Sequence, residues 1–418
     1  MLSDSIKSFR VLFFNNLKIV ENYFFMTALQ LLSSLFGILI YPYVIRTLGA
    51  ESYGQYVFAL SITTYFITFI SFGFSLPGTK MIAQNKHDQV IKSEVVSSIF
   101  TAKFYLGLLS AVVFSILLLT LPFMMQNRWI YIVCFAQIIG EVLFPSWYFQ
   151  GVQKMKVVTF IQLGFRILSL PFIVMMVKAP SDCLLFVTIN TLAVIFGGIA
   201  ANIILIRYEK LKLQIVSLKS LKHYFKDALP FFWSSSAGTI KQSSVSIIIG
   251  SVFGMSDLAL YDLAHKLIIL PRMLTISING ALFPKVIQNI NPSLVRKIIR
   301  YEIGVGIVAS ILIAALGYWF ILFLAGPTMT AAYPMAVVLS LTVLSWLVVG
   351  SYINFIFVPA GRYYLVTQNQ IVAALSFFLY CIPLFFTNHI MIVIAALTLS
   401  GLTEIIFCNI MIKKLKLL

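Results

Sequence analysis

Acidic side chains are scarce in this sequence: 13 Asp and Glu stand against 30 Lys and Arg in 418 residues, and charged residues of both signs make up only 10%. Soluble domains carry roughly a quarter. A chain so poor in charge, 60% hydrophobic and with mean hydropathy +0.99, reads as a polytopic membrane protein. Cysteine is scarce too: Cys134, Cys183, Cys381 and Cys408 are single and widely spaced, which excludes a disulfide framework and a metal-binding spacing and marks them as core residues. Linkers are missing as well. The longest connection, Arg207 to Asp227, leaves no room for a catalytic domain outside the membrane. The first apolar run follows an amphipathic stretch, "SFRVLFFNNLK", and has no small-residue cleavage pattern, so insertion is expected to use the spans themselves rather than a removed signal peptide.

What is present is a series of apolar runs of about 20 residues, the length that crosses a bilayer as a helix. Twelve are expected: near 23 to 44, 54 to 75, 95 to 120, 129 to 149, 158 to 177, 183 to 206, 228 to 252, 258 to 283, 301 to 325, 334 to 357, 363 to 386 and 389 to 411. The seventh is the weakest, because "FFWSSSAGTIKQSSVSIIIG" is half polar.

The net charge of +17 raises the question of nucleic acid, and the placement of the basic residues answers it. If both termini and every second connection share one side, that side carries 22 Lys and Arg and the opposite side only Arg46, Arg128 and Lys178. Cytoplasmic loops hold such an excess, and an anionic inner leaflet is partner enough for it. The expectation is cytoplasmic termini, contact with membrane lipids and no nucleic-acid partner.

An internal repeat divides the chain. "LGAESYGQYVFA" (48 to 59) laid over "FGMSDLALYDLA" (253 to 264) pairs Gly49 with Gly254, Tyr56 with Tyr261 and Ala59 with Ala264, each segment being the short outer turn after the first helix of its half. This favours an all-α architecture of two six-helix bundles in parallel repeat around a central cavity, residues 1–206 and 228–418, joined by a basic cytoplasmic connection over 207–227. Such an arrangement is that of a transporter.

Subtracting the loops leaves Lys103, Arg166, Lys241, Lys266 and Arg272 inside spans, with Glu141, Asp262 and Glu404. A charge at the bilayer centre costs about 2.5 to 3.5 kcal/mol even on lenient scales, so these groups should face protein or water. Lys103, about 12 Å from the inner boundary, is expected to snorkel. At 100° per residue Asp262, His265, Lys266 and Arg272 share an arc of about 120°, with Tyr261 and Asn279 beside it. Pro271 is expected to open a kink next to Arg272. The spacing pairs Asp262 with Lys266. For Lys241 and Arg272 two readings stand: contact with an anion, best a phosphate, or cross-helix pairing with Glu141 or Glu404. Arg166 adds a cation from the other half. Glu141 and Glu404 read either as charge partners or as proton carriers, and His265 as a switch or as a hydrogen-bonded bundle residue. "FPSWYFQG" (144 to 151) reads mainly as an interfacial aromatic belt, with a sugar-stacking surface as the alternative.

Three stretches, "PYVIRTLGAESYGQYVFAL" (42 to 60), "SWYFQGVQKMKVVTFIQLGFR" (146 to 166) and "YDLAHKLIILPRMLTISINGALFPKV" (261 to 286), resemble bacterial O-antigen flippases of the Wzx type, within the multidrug, oligosaccharidyl-lipid and polysaccharide exporter superfamily. The resemblance covers nearly the whole chain in span count and spacing. It implies a polyprenyl-pyrophosphate-linked oligosaccharide as substrate, moved from the cytoplasmic to the periplasmic leaflet of the bacterial inner membrane for lipopolysaccharide or other surface polysaccharide, by alternating access of two bundles. By location it makes Lys241, Arg272, Lys266 and Arg166 the candidate pyrophosphate contacts. It implies no cofactor and no metal, leaves open a coupling ion, H+ or Na+, and allows other polysaccharide assembly proteins as partners. The two extra helices that some lipid-linked precursor flippases use for the lipid tail have no counterpart here. A drug or cation antiporter of the same superfamily is the nearest rival, disfavoured by the basic excess. An O-antigen polymerase or ligase is a rival of another class, disfavoured by the short outer connections and by the lack of a nucleophile, carboxylate pair or metal cluster.

Overall fold

A computed structural model describes residues 17–288 and 292–417, and the side chain of Asn279 lies outside the described residues. Every expected span has a helical counterpart. Helix α1 (Leu17–Ser71) holds the first two, turning at Gly49, whose φ of +74° is open to a residue without a Cβ. After the short α2 (Ser75–Gln84) comes α3 (Gln89–Thr120), capped by the Asp88 carboxylate, which accepts from the Val90 and Ile91 N–H groups. The fourth span is built from short pieces, α4 (Pro122–Gln126), α5 (Arg128–Phe135), α6 (Gln137–Leu143) and α7 (Ser146–Gly151). Helices α8 (Met155–Met176) and α9 (Cys183–Arg207) complete the first half.

The second half runs α10 (Leu218–Val252), α11 (Met255–Gln288), α12 (Pro292–Ala325), α13 (Ala332–Tyr352, continued by a π turn to Phe357), α14 (Tyr363–Tyr380) and α15 (Ile390–Lys414). Gly254, between α10 and α11, has φ +107°, so both glycines paired by the sequence repeat occupy the same kind of turn. The helical assignment of α11 passes through Pro271 without a break.

Among the described residues nine stretches are long and apolar enough to cross a membrane. One stretch, Phe24–Gln84, contains the two spans of α1, and α10 is absent from the nine because its polar side chains dilute it, while much of α11 lies outside the described side chains. Helix α10, the least suited to lipid, lines the middle of the molecule.

Two helical bundles meet around a central cavity. Helix α1 packs on α5, α6 and α8 of its own half and on α10 and α11 of the other; α12, α13, α14 and α15 pack among themselves, with α13 against α11 and α14 against α10. Along α1 and α10 a polar seam joins the halves: the hydroxyls of Tyr65 and Ser244 lie 2.8 Å apart, those of Thr68 and Thr239 2.9 Å, and the rings of Phe72 and Phe232 stack at 4.4 Å. At the Gly49 end, Gly54 sits against the Met255 carbonyl, bringing the two repeat turns into contact.

Two expectations are corrected by packing. Trp147, Tyr148 and Phe149 of α7 are buried rather than belted at a surface. Gly78 and Gly151 allow α2 and α7 to close on one another: a Cβ at Gly78 would lie 2.8 Å from the Trp147 ring, and one at Gly151 2.8 Å from Ile82. The Tyr148 hydroxyl then donates to Glu209 at 3.1 Å. No face of this cluster is open for sugar stacking. Lys103 does not snorkel either; it is 3% exposed and its Nζ reaches the Glu141 carboxylate at 2.7 Å, because α6 places a carboxylate closer than any interface. All four cysteines are buried thiols.

Candidate functional site

Among the described residues the cavity shows two chambers. The larger, about 710 Å³, is lined from α1 by Tyr41, Tyr53 and Tyr56, from α6 by Glu141, from α8 by Gln162 and Arg166, from α9 by Asn190 and from α11 by Asp262 and Lys266. The smaller, about 350 Å³, is enclosed by second-half helices and lined by Lys241, Arg272, Thr342, Trp346, Gln370 and Glu404. Gln242 and His265 line both, so the chambers share one wall.

That wall is a hydrogen-bonded contact between α10 and α11. The Gln242 amide nitrogen lies 3.1 Å from His265 Nε2, and the imidazole stacks on Tyr261 with ring centroids 5.8 Å apart. Of the two roles open to His265 in the sequence, the geometry supplies the hydrogen-bonded one.

In the larger chamber Asp262 and Lys266 form an ion pair one helical turn apart. Tyr53, on α1, joins it from the other half: its hydroxyl donates to Asp262 Oδ2 at 2.8 Å and accepts from Lys266 Nζ at 2.9 Å. The ammonium also lies over the Tyr41 ring at 4.8 Å, a cation–π contact. Lys266 is thus engaged on several sides. Arg166 faces the same chamber and donates to the Ser33 carbonyl at 3.3 Å. Glu141 is held by Lys103, whose Nζ also donates to the Glu141 carbonyl at 3.1 Å.

In the smaller chamber Lys241 Nζ donates to Glu404 Oε1 at 2.5 Å, and the Asn369 amide donates to Oε2 at 3.1 Å. Arg272 donates to the Thr342 hydroxyl at 3.1 Å, and its guanidinium lies 5.5 Å from the Trp346 ring centre. Among the described residues that line this chamber are two cations, Lys241 and Arg272, and one carboxylate, Glu404.

Of the residues singled out in the sequence, Lys241, Arg272 and Glu404 come together in one chamber, and Arg166, Glu141, Asp262 and Lys266 in the other. Tyr53, Tyr41, Thr342, Trp346 and Asn369 were missed. Tyr53 lies inside a motif already quoted, five residues beyond Leu48. Thr342 and Trp346 are four apart on α13, the spacing that stacks two side chains on one helix face. Among the described residues no group of three or more His, Cys, Asp or Glu is placed to hold a metal ion.

Fold and cavity define an α-helical multi-pass membrane protein of the kind seen in two-bundle transporters. A family model described as polysaccharide biosynthesis protein matches residues 19–290, and the chain belongs to that family. It is 24% identical over 272 residues to a protein of Escherichia coli (strain K12), covering 65% of this chain and 66% of that protein. It is also 24% identical over 372 residues to one of Shigella dysenteriae, covering 84% and 89%. Both are provisionally named O-antigen transporters. Among solved structures, an inward-facing multidrug resistance MATE family transporter of the MOP superfamily superposes with TM-score 0.69 at 10% identity, covering 93% of this chain and 99% of that one. The lipid II flippase MurJ, in an inward closed conformation, gives 0.68 at 12% identity, covering 93% and 87%. At such identity these two establish a shared fold.

Proposed function

We propose that this protein is a transporter, not an enzyme: a flippase that carries a polyprenyl-pyrophosphate-linked oligosaccharide from the cytoplasmic to the periplasmic leaflet of the bacterial inner membrane by alternating access. In this reading residues 1–206 and 228–418 move as halves about the basic connection 207–227, with both termini cytoplasmic. The observation that carries it is the placement of Lys241 and Arg272 in a polar chamber in the middle of a molecule otherwise faced with apolar side chains. A headgroup bearing two phosphates needs cations where lipid would refuse it, and Arg grips phosphate bidentately while Lys meets it as a point charge. Lys266 and Arg166 are flanking cations in the adjoining chamber. Family membership and the transporter names of the two curated relatives support the same reading.

In liposomes, the purified protein is expected to move a fluorescent polyprenyl-pyrophosphate oligosaccharide between leaflets. A protein that leaves this lipid in place yet expels a cationic dye is an antiporter, and the flippase reading then falls.

A further inference from the structure

We infer that residues 210 to 229, which comprise the end of the connection and the first turns of α10, form a docking surface for anionic phospholipids. That the leaflet concerned is the cytoplasmic one rests on the flippase reading above; the surface itself does not.

Helix α3 gives the depth of this segment. From Thr101 to its last residue, Thr120, α3 rises about 28 Å, close to the hydrocarbon thickness of about 30 Å, so Thr101 marks one edge of the apolar core. The Val216 N–H donates to the Thr101 hydroxyl at 3.2 Å, and Tyr224 stands beside Ser98 and Glu94, one to two turns further out. The Phe225 ring packs edge-on against Phe72 and Phe74, with centroids 4.9 and 5.3 Å away, where the second span ends. From Val216 to Phe225 the chain therefore stays at headgroup depth.

The faces of the helix divide as an interfacial helix requires. At 100° per residue Leu221, Tyr224 and Ala228 share an arc of about 60° and are buried, while Lys219, Lys222 and Lys226 share a nearly opposite arc of about 60° and are exposed. Between the two arcs, on one flank, lie Leu218 and Leu229, 65% and 42% exposed, and just before them Ile215 is 82% exposed. At the edge of a bilayer such side chains enter the acyl region while the adjoining lysines reach headgroup phosphates.

The charge is available for a partner. Lys210 and Lys212 bring the lysines of the segment to five, against one acid, Asp227, which lies 3.3 Å from His223. Among the described residues none of the five forms an ion pair. A nucleic acid or an acidic protein would meet the lysines and leave Ile215 and Leu218 in water; an anionic leaflet takes both. Helix α10, which carries Lys241 to the smaller chamber, thus starts from a lipid-anchored end.

The test attaches a fluorophore at Ile215→Cys, the native cysteines being buried. The labelled protein is placed in phosphatidylcholine vesicles holding brominated phosphatidylglycerol or, at the same mole fraction, brominated phosphatidylcholine. The anionic quencher is expected to act about fivefold more strongly, the enrichment that a single lysine near a charged surface supplies. Lys219→Gln, Lys222→Gln and Lys226→Gln together, all at exposed positions, should bring the two quenchers level, and so should 1 M salt acting on the unsubstituted lysines, since it shortens the screening length to about 3 Å. Equal quenching by both lipids at low salt, or a triple variant that keeps the full preference, overturns the anionic surface. Quenching by neither lipid overturns it as well and leaves the segment in water, where an acidic protein becomes the fitting partner. Lipid flipping is not measured in these vesicles, so the flippase reading stands or falls separately.

Discussion

Lys241 on α10 and Glu404 on α15 lie 2.5 Å apart, Nζ to Oε1, with side chains 15% and 10% exposed. Two charges taken that far from water cost more to desolvate than their attraction returns unless the remaining lone pairs and protons are satisfied. Asn369 supplies one such bond to Oε2. The pair therefore holds α10 against α15 and, at the same time, keeps a cation at a chamber wall where an arriving anion competes with Glu404 for it.

Removing one partner separates these two roles. Lys241→Ala leaves Glu404 buried without its counter-ion and is expected to cost about 3 to 5 kcal/mol of stability, seen as a fall in the melting temperature in detergent. Lys241→Met combined with Glu404→Gln should recover most of that stability and still fail to transport. Recovery of both would reduce the pair to a structural tie.

Arg272→Lys is expected to keep the charge and lose function. Its guanidinium bonds Thr342 and stands over Trp346, two contacts that a compact ammonium does not reproduce from the same Cα. Lipid flipping in liposomes should fall at least fivefold with normal membrane insertion. Wild-type rates for Arg272→Lys would show that only charge matters there.

Helix number, the repeat and the polar stripe of α11 were legible because each follows from a local regularity: run length, matched turns at Gly49 and Gly254, and an arc of side chains around one helix. Partner choice across helices was legible only in part: Glu404 stood among the partners named for Lys241, and the structure pairs them. Lys103 was assigned to the interface by its depth alone, since depth is a one-helix property and the carboxylate that holds it is 38 residues away on α6. The aromatic run at 147 to 149 failed for the same reason: what buries it is the close approach allowed by Gly78 and Gly151, and a glycine in a sequence does not announce what will press against it. Asp262 with Lys266 was readable, being one turn apart. The Tyr53 hydroxyl that bridges them from the other half was not.

The contact between the two repeat turns has no slack. A Cβ at Gly54 would lie 1.9 Å from the Met255 carbonyl oxygen, and because that atom is backbone, no rotamer change relieves it. Gly54→Ala is expected to push α1 and α11 apart and to lower stability by about 1 to 3 kcal/mol, the usual range for overpacking. Gly37→Ala is the control, since nothing lies within 4 Å of its added methyl. Equal melting temperatures for the two variants would refute the close contact.

Cysteine scanning of α11 should reveal one wet stripe. Residues 262, 265 and 266 line the larger chamber and 272 the smaller, whereas Ala259, Leu263, Ala264 and Leu267 are buried against neighbouring helices. Single cysteines at the first four positions should react with a water-soluble maleimide at least tenfold faster than at the second four. Uniform protection would mean that the chambers are dry and that the charges serve packing alone.

The connection between α9 and α10 is held as a strap. Residues 212 to 216 run along α3, where Ser93, Ser97 and Thr101 recur every four residues. Lys212 N–H donates to the Ser93 hydroxyl at 3.3 Å, Gln214 N–H to Ser97 at 3.1 Å and Val216 N–H to Thr101 at 3.2 Å, while Ser97 donates in turn to the Lys212 carbonyl at 3.2 Å. The match is metrical: four residues of helix rise about 6.0 Å and two of extended chain about 6.6 Å, so every second N–H meets the next hydroxyl. Upstream, Glu209 is pinned by Lys154 and Tyr148. Bound this way through Val216, the strap packs with the first half, and in the proposed alternating-access reading any hinge falls at Ser217, the residue before α10. Each lost bond is worth about 1 kcal/mol. Ser93→Ala, Ser97→Ala and Thr101→Val together should therefore free the strap, speeding tryptic cleavage after Lys210 and Lys212 at least tenfold with little change in the melting temperature of the bundles. Cleavage at the wild-type rate would show that the ladder does not hold the connection.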